Sequence, residues 1–399
     1  MSALSFGSLK PQCTCRTSIR LSNKGDPPSP QGSCLGAALA YRQVVNVWEL
    51  LRLPVLDEQL PNVESGLRRA VESPEPFLQE VAGHLVEAGG KRLRPALVIA
   101  AAATCLPPSS LPANGLADEL VLGAVSVELV HMGSLYHDDV IDEAASRRGV
   151  QSVNARWGNL VAVLAGDFLL ARASEIAARL GTEVVKVLAT TIGRLCQGEM
   201  GQLQYSFSTA RPENAYLDAI SAKTASLLSA STRIGALVAR APRSEVEALA
   251  RFGHAFGMAF QIWDDVRDLL CTEEELGKPA GHDMVEGTYT LPVIRALADP
   301  EHGPELGALL GGQLGLPELS KARDLVLATG AVASSIAEGR RWADVAAEAL
   351  AETPAEAAAA NGAGGGYFPG DPDVRVTLAG LAHRLLDDLA GREPELYGA

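Results

Sequence analysis

The chain has 399 residues, 47% hydrophobic, 21% charged and 5% aromatic, with a formal net charge of −14. That acidic balance excludes a mainly nucleic-acid role, which needs a basic footprint, and an anionic membrane surface as the main partner. No apolar run reaches the roughly 20 residues that span a bilayer. The six cysteines are scattered without a C-x-x-C pair, so a reducing, cytoplasmic setting is expected.

Charge is uneven. Residues 1–42 carry Lys10, Arg16, Arg20, Lys24 and Arg42 against Asp26 alone, a net +4 that leaves −18 for the rest. Rich in Ser, Pro and Gly and without helical periodicity, residues 1–43 read as a disordered or non-native extension. A basic, acid-poor start also resembles a transit peptide, although no amphipathic Arg helix is evident.

From Val44 onward the strong helix formers Ala, Leu, Arg and Glu dominate. No βαβ alternation and no Asn-Gly hairpin interrupt them, so the fold class is all-α. The run from Pro95 to Leu106 reads as a buried helix. Leu116–Tyr136, apolar on nearly all faces, reads as a core helix. Turns are expected at Pro107-Pro108, Gly181, Arg211-Pro212 and Pro242. Residues 352–373 form a Gly/Ala-rich linker. Leu378, Leu381, Leu385 and Leu389 then predict one final amphipathic helix. With no second core in view, residues 44–399 read as a single domain.

The chemistry is carried by two acidic clusters. Asp138-Asp139-Val140-Ile141-Asp142 ends the apolar core helix, and on a helix Asp138 and Asp142 lie one turn apart on one face. Burying like charges there is costly, and a cation between them removes the cost. Oxygen donors without His or Cys favour Mg²⁺. The same spacing recurs 126 residues later in Asp264-Asp265-Val266-Arg267-Asp268. Two such clusters can face one cavity and hold ions that need a polyanionic partner, for which a diphosphate is suited. Asp387-Asp388 lacks the third acid and reads as solvated surface. Cations stand where phosphate needs them: Lys91, Arg92 and Arg94 in a Gly-rich turn, Arg147-Arg148-Gly149 after the first cluster, Lys223, and Lys278 after the second.

These motifs resemble those of the trans-isoprenyl diphosphate synthases, or polyprenyl synthetase family. The likeness rests on Gly89-Gly90-Lys91-Arg92-Leu93-Arg94-Pro95, on Glu128 through His131 to Asp138 and Arg147-Arg148-Gly149, and on Gly166-Asp167-Phe168-Leu169. It continues through Lys223-Thr224, Phe260-Gln261-Ile262-Trp263 with the second acidic cluster, and Gly277-Lys278-Pro279 through Thr290-Leu291-Pro292. It runs in order from about residue 44 to 300 and more loosely beyond.

The resemblance implies a single-domain isoprenoid-synthase helical bundle around a deep central cavity, acting as a homodimer. It implies condensation of isopentenyl diphosphate with an allylic diphosphate. Mg²⁺, as three ions bound with the diphosphate, would draw on Asp138, Asp139, Asp142, Asp264, Asp265 and Asp268, with Asp138, Asp142 and Asp264 bridging to substrate. Arg147, Lys223 and Lys278 would grip the allylic diphosphate, and Thr224 and Gln261 would line its site. Lys91, Arg94, His131 and Arg148 would bind isopentenyl diphosphate. Glu199 and Gln202 match a family motif as supporting residues. Thr288 stands where the family often has a loop lysine.

In this family the residues before the first acidic cluster floor the product cavity, and here they are the small Gly133 and Ser134. One helical turn, about 5.4 Å, approximates one isoprene unit. The chain would grow past Gly133 toward Leu129, Val130, Ser126 and Val125, giving a long all-trans product unless Tyr136 intrudes. The rival expectations are a geranylgeranyl diphosphate synthase and a non-catalytic subunit of a heteromeric synthase. No transmembrane segment is expected; membrane association would come through the product.

Overall fold

The computed structural model describes residues 50–106, 116–272, 275, 280–351 and 370–390. The extension 1–43, Pro107-Pro108, Lys278 and most of the expected linker therefore lie outside the described residues.

The chain opens with α1 (Pro54–Ala70), α2 (Pro76–Glu87) and α3 (Leu93–Ala103). Proline at the first helical positions of α1 and α2 costs no hydrogen bond and presets φ. The run beginning at Pro95 is the buried helix α3. α4 (Leu116–Ile141) is buried on nearly every face. A short hairpin, β1 (Ser146–Arg147) and β2 (Val150–Gln151), follows it, the only sheet among the described residues. Next come α5 (Val153–Trp157), α6 (Asn159–Leu180) and α7 (Thr182–Leu203), the last two separated at Gly181 as expected.

A long helical stretch then runs through α8 (Glu213–Ile220), a π-helical turn (Ser221–Ala225) and α9 (Ser226–Val238). Lys223 and Thr224 lie in this π turn, inside the helical stretch. The wide turn needs space. A Cβ on Gly198 would meet the Lys223 nitrogen at 2.8 Å, and one on Gly257 would meet Ala225 Cα at 2.5 Å. Glycine on both flanking helices lets the turn fit.

After Pro242, α10 (Arg243–Leu270) is the longest described helix. The rest is α11 (His282–Val285), α12 (Leu291–Leu297), α13 (Gly303–Leu309), α14 (Leu316–Ala328), α15 (Ala331–Ala349), α16 (Pro372–Ala379) and α17 (Leu381–Ala390). The single final helix is thus two helices, broken at Gly380; their buried residues include Leu378, Leu381, Leu385 and Leu389. α4 packs along α6 and α3, and α10 packs against α9 and α15. This brings the C-terminal half of α4, the π turn and α10 around one interior.

Candidate active site

Asp138 lies near the C-terminal end of α4, and the helical bond from Asp142 N to Asp138 O (2.8 Å) keeps the two acids one turn apart. The π turn presents Lys223, whose Nζ is 2.5 Å from Glu199 Oε2 on α7 and 3.9 Å from Asp138 Oδ2. Burial pushes the Asp138 carboxyl up to about 6, with Lys223 opposing and Glu199 and Asp142 adding to the shift. Burial raises Asp142 as well. Thr224 donates to Gln261 Oε1 at 2.7 Å, and Gln261 donates to Asp265 Oδ1 at 2.8 Å. The turn after α3's neighbour α2 supplies the cationic side. Arg92, in the left-handed region at φ 40°, turns inward to Glu64 (2.6 Å) and Glu128 (3.0 Å). Lys91 stays exposed.

Arg148 donates to Leu85 O at 3.2 Å and to Gly89 O, and its Nη2 lies 3.7 Å from Glu128. Burial lowers Arg94 to about 10. Burial and the neighbouring Arg94 and Arg148 hold His131 well below the usual histidine range, so it is neutral near pH 7.

A cavity of about 390 Å³ joins these groups: Arg94, His131, Asp138, Glu199, Lys223 and Thr224 line it together with Ser134, Leu135, Leu195, Met200, Leu203 and Leu227. Polar, charged groups and an aliphatic wall thus share one space. A second cavity, about 310 Å³, is lined by Lys91, Arg94, His131, Arg148 and Asp264 among others.

Other expected positions are placed as follows. Asp139 is fully buried and held by Arg147, whose Nη2 is 2.6 Å from Oδ1. Arg147 is therefore tied to Asp139 and also acts on the charge of Asp142. Asp265 is buried under Tyr216 Oη (2.5 Å) and Gln261, and burial pushes it up to about 7. Asp268 is buried, with Oδ2 accepting from Asp283 N at 3.3 Å. Of the six acids in the two clusters, Asp138, Asp142 and Asp264 are the ones not buried.

Gly133 does not line the cavity. A Cβ there would meet Gly166 O and Leu170 at 3.1 Å, because the position is the close contact between α4 and α6. Ser134 does line it. Tyr136 points the other way, donating to Val81 O at 2.8 Å. Gln202 Nε2 reaches Thr288 Oγ1 at 3.5 Å.

The accessible acids suit Mg²⁺. Their donors are hard oxygens, and the raised proton affinity of Asp138 and Asp142 reflects negative charge that burial leaves undercompensated. Among the described residues no three His, Cys, Asp or Glu side chains gather at ligand distance. Mg²⁺ commonly takes one or two carboxylates plus substrate phosphates, and this arrangement fits that habit.

Sequence reasoning missed the inward role of Arg92 and Glu64, and the support of Asp265 by Tyr216. Their partners lie 28 and 49 residues apart in sequence, beyond any local pattern.

The sequence model of the polyprenyl synthetase family matches residues 75–319. The chain is 41% identical over 300 residues to heptaprenyl diphosphate synthase component 2 of Geobacillus stearothermophilus, covering 75% of this chain and 91% of that protein. It is 42% identical over 258 residues to nonaprenyl diphosphate synthase of Mycobacterium tuberculosis, covering 64% and 72%. The solved structure of a polyprenyl synthase from Caulobacter crescentus, complexed with calcium and isoprenyl diphosphate, superposes with a TM-score of 0.74 at 32% identity, covering 86% of this chain and 98% of that one. With its motifs in order on a helical fold of this kind, the chain belongs to the polyprenyl synthetase family.

Proposed function

We propose that the chain is a prenyltransferase that condenses isopentenyl diphosphate with an allylic diphosphate to make a long all-trans polyprenyl diphosphate, releasing diphosphate. The observation that carries this reading is the single cavity in which Asp138 and Lys223 meet an aliphatic wall of Leu135, Leu195 and Leu227. The charged end suits a diphosphate and the wall suits a growing hydrocarbon.

Asp138, Asp142 and Asp264 would hold Mg²⁺, which when bound supplies Lewis-acid charge to the leaving diphosphate. Lys223 and Arg147 orient that diphosphate and stabilise its developing charge. Thr224 and Gln261 fix the allylic end of the site. Lys91, Arg94, Arg148 and neutral His131 hold isopentenyl diphosphate so that its double bond can attack the allylic carbocation. The released diphosphate takes the proton. The aliphatic wall keeps water from the cation.

The long-chain reading draws on Ser134 and on the lack of Phe, Tyr or Trp among the lining residues of the larger cavity. The relatives include heptaprenyl and nonaprenyl synthases. A homodimer is the proposed assembly; exposed Leu160 and Leu164 on α6 offer it an apolar face. The name of the Geobacillus relative, a component 2, makes a heteromeric assembly the second reading. No described helix is long and apolar enough to cross a membrane.

Mg²⁺-dependent release of diphosphate from farnesyl and isopentenyl diphosphates tests the reading. Absence of release with the purified chain would contradict it as a self-sufficient enzyme.

A further inference from the structure

The 310 Å³ cavity has a wall of which the reaction above uses only Asp264. Besides Arg94 and Arg148, its lining takes Trp263, Asp264 and Arg267 from α10. Trp263 and Arg267 are four residues apart and share a helix face. The Arg267 guanidinium carbon sits 4.5 Å from the Trp263 ring centroid, a cation–π contact that holds the side chain flat.

This wall is short of acceptors. The Arg267 side chain is 9% exposed, and its Nη1 lies 3.6 Å from Asp264 Oδ1, beyond hydrogen-bond distance. Its Nε has no acceptor. Neither has the indole Nε1 of Trp263, nor Nε of Arg94 in the same lining. Three buried N–H groups without acceptors therefore belong to residues around one space. A buried donor is rarely left unmatched; each of these atoms is closed off as the structure stands, and a small side-chain shift toward the cavity would bring it to an oxygen-rich guest. The charge agrees. Glu128, the other acid of the lining, is engaged by Arg92 at 3.0 Å. Lys91, Arg94, Arg148 and Arg267 thus outweigh the acids.

We propose that Arg267 and Trp263 bind the diphosphate group of isopentenyl diphosphate, gripping it from the α10 side while Arg94 and Arg148 grip it from the other. This rests on the prenyl-transfer reading above. Arg267 supplies a charge-assisted donor and Trp263 a neutral one. The second acidic motif would then serve both substrates, through Asp264 on the allylic side and Arg267 on the isopentenyl side.

The test uses the full chain and three variants, Arg267→Gln, Arg267→Lys and Trp263→Phe. Calorimetric titration with isopentenyl diphosphate without Mg²⁺ reads the pocket directly, and steady-state kinetics reads each substrate's KM. Arg267→Gln should weaken isopentenyl diphosphate about tenfold, the scale of one charge-assisted hydrogen bond. The KM for farnesyl diphosphate should change less, any change there coming through Asp264, 3.6 Å from Arg267. Trp263→Phe keeps the ring and loses the donor, for a loss of about threefold. Arg267→Lys should recover part of the affinity. Inorganic pyrophosphate should compete in the wild type and about tenfold less well in Arg267→Gln, which separates headgroup recognition from contacts to the isopentenyl tail. Wild-type affinity for isopentenyl diphosphate in Arg267→Gln, or an equal rise in both KM values, overturns the proposal. Should Arg267→Gln fail to fold, Trp263→Phe carries the same test. A wild-type chain that releases no diphosphate refutes the underlying reading instead, so the two failures are distinct.

Discussion

Lys223 Nζ lies 2.5 Å from Glu199 and 3.9 Å from Asp138, so the ammonium stands between a supporting acid and a metal-ligand candidate. Burial alone would lower the Lys223 pKa; the surrounding acids more than offset this and raise it, which keeps the lysine charged. Glu199→Gln removes the closer partner, and the ammonium should shift onto Asp138 and compete with the cation there. The expected outcome is an Mg²⁺ requirement raised about tenfold, roughly 1.4 kcal/mol, with the KM for isopentenyl diphosphate unchanged. An Mg²⁺ titration of diphosphate release checks it.

Ser134 and Gly133 should respond differently to the same substitution. Ser134→Phe places a ring in the cavity wall and should shorten the product while leaving the thermal midpoint near that of the wild type. Gly133→Phe drives a ring into Gly166 O and Leu170. Overpacking of this kind costs about 1–3 kcal/mol or more, so a lowered midpoint is expected rather than a clean change in chain length. Product chromatography beside thermal melts separates the two effects.

Arg92 ties α1 to the centre of α4 through Glu64 and Glu128. Arg92→Ala leaves Glu128, itself 1% exposed, with only Arg148 at 3.7 Å. Breaking a buried pair from one side costs about 3–5 kcal/mol. Denaturant unfolding should show a loss of that order, and Glu64→Ala a smaller one, because Glu64 is partly exposed.

His131 predicts a pH effect whose sign follows from its depressed pKa. Below about 6.5 the unfolded chain binds a proton there that the folded chain does not. Stability is therefore lost as pH falls through that value. His131→Gln removes this dependence. The stability difference between wild type and variant should shrink from pH 7.5 to pH 5.5, and an unchanged difference would mean that His131 charges in the folded protein.

Much of the site was legible because its chemistry is local. Asp138 and Asp142 are one turn apart on a helix whose apolar pattern is plain, and Lys223 and Arg94 stand out against apolar surroundings. What could not be read depends on helix rotation and on distant partners. Nothing local says that Asp139 faces Arg147 while Asp138 faces the cavity, or that Gly133 meets α6 while Ser134 meets the cavity. Adjacent residues on a helix differ by about 100° in direction, and only packing decides which one lines a cavity. The π turn at Lys223 was hidden because its space comes from Gly198 and Gly257, each 25 or more residues away. The C-terminal break was missed although Gly380 stood in the sequence, because the leucine spacing runs straight through it.

The most direct measurement is the size of the product that the purified chain makes from farnesyl and isopentenyl diphosphates with Mg²⁺. A cavity wall that has Ser134 and no Phe, Tyr or Trp predicts all-trans products of about C30 or longer, on the scale of one isoprene unit for each helical turn of about 5.4 Å. Products that stop at about C20, or no condensation at all, would contradict the account.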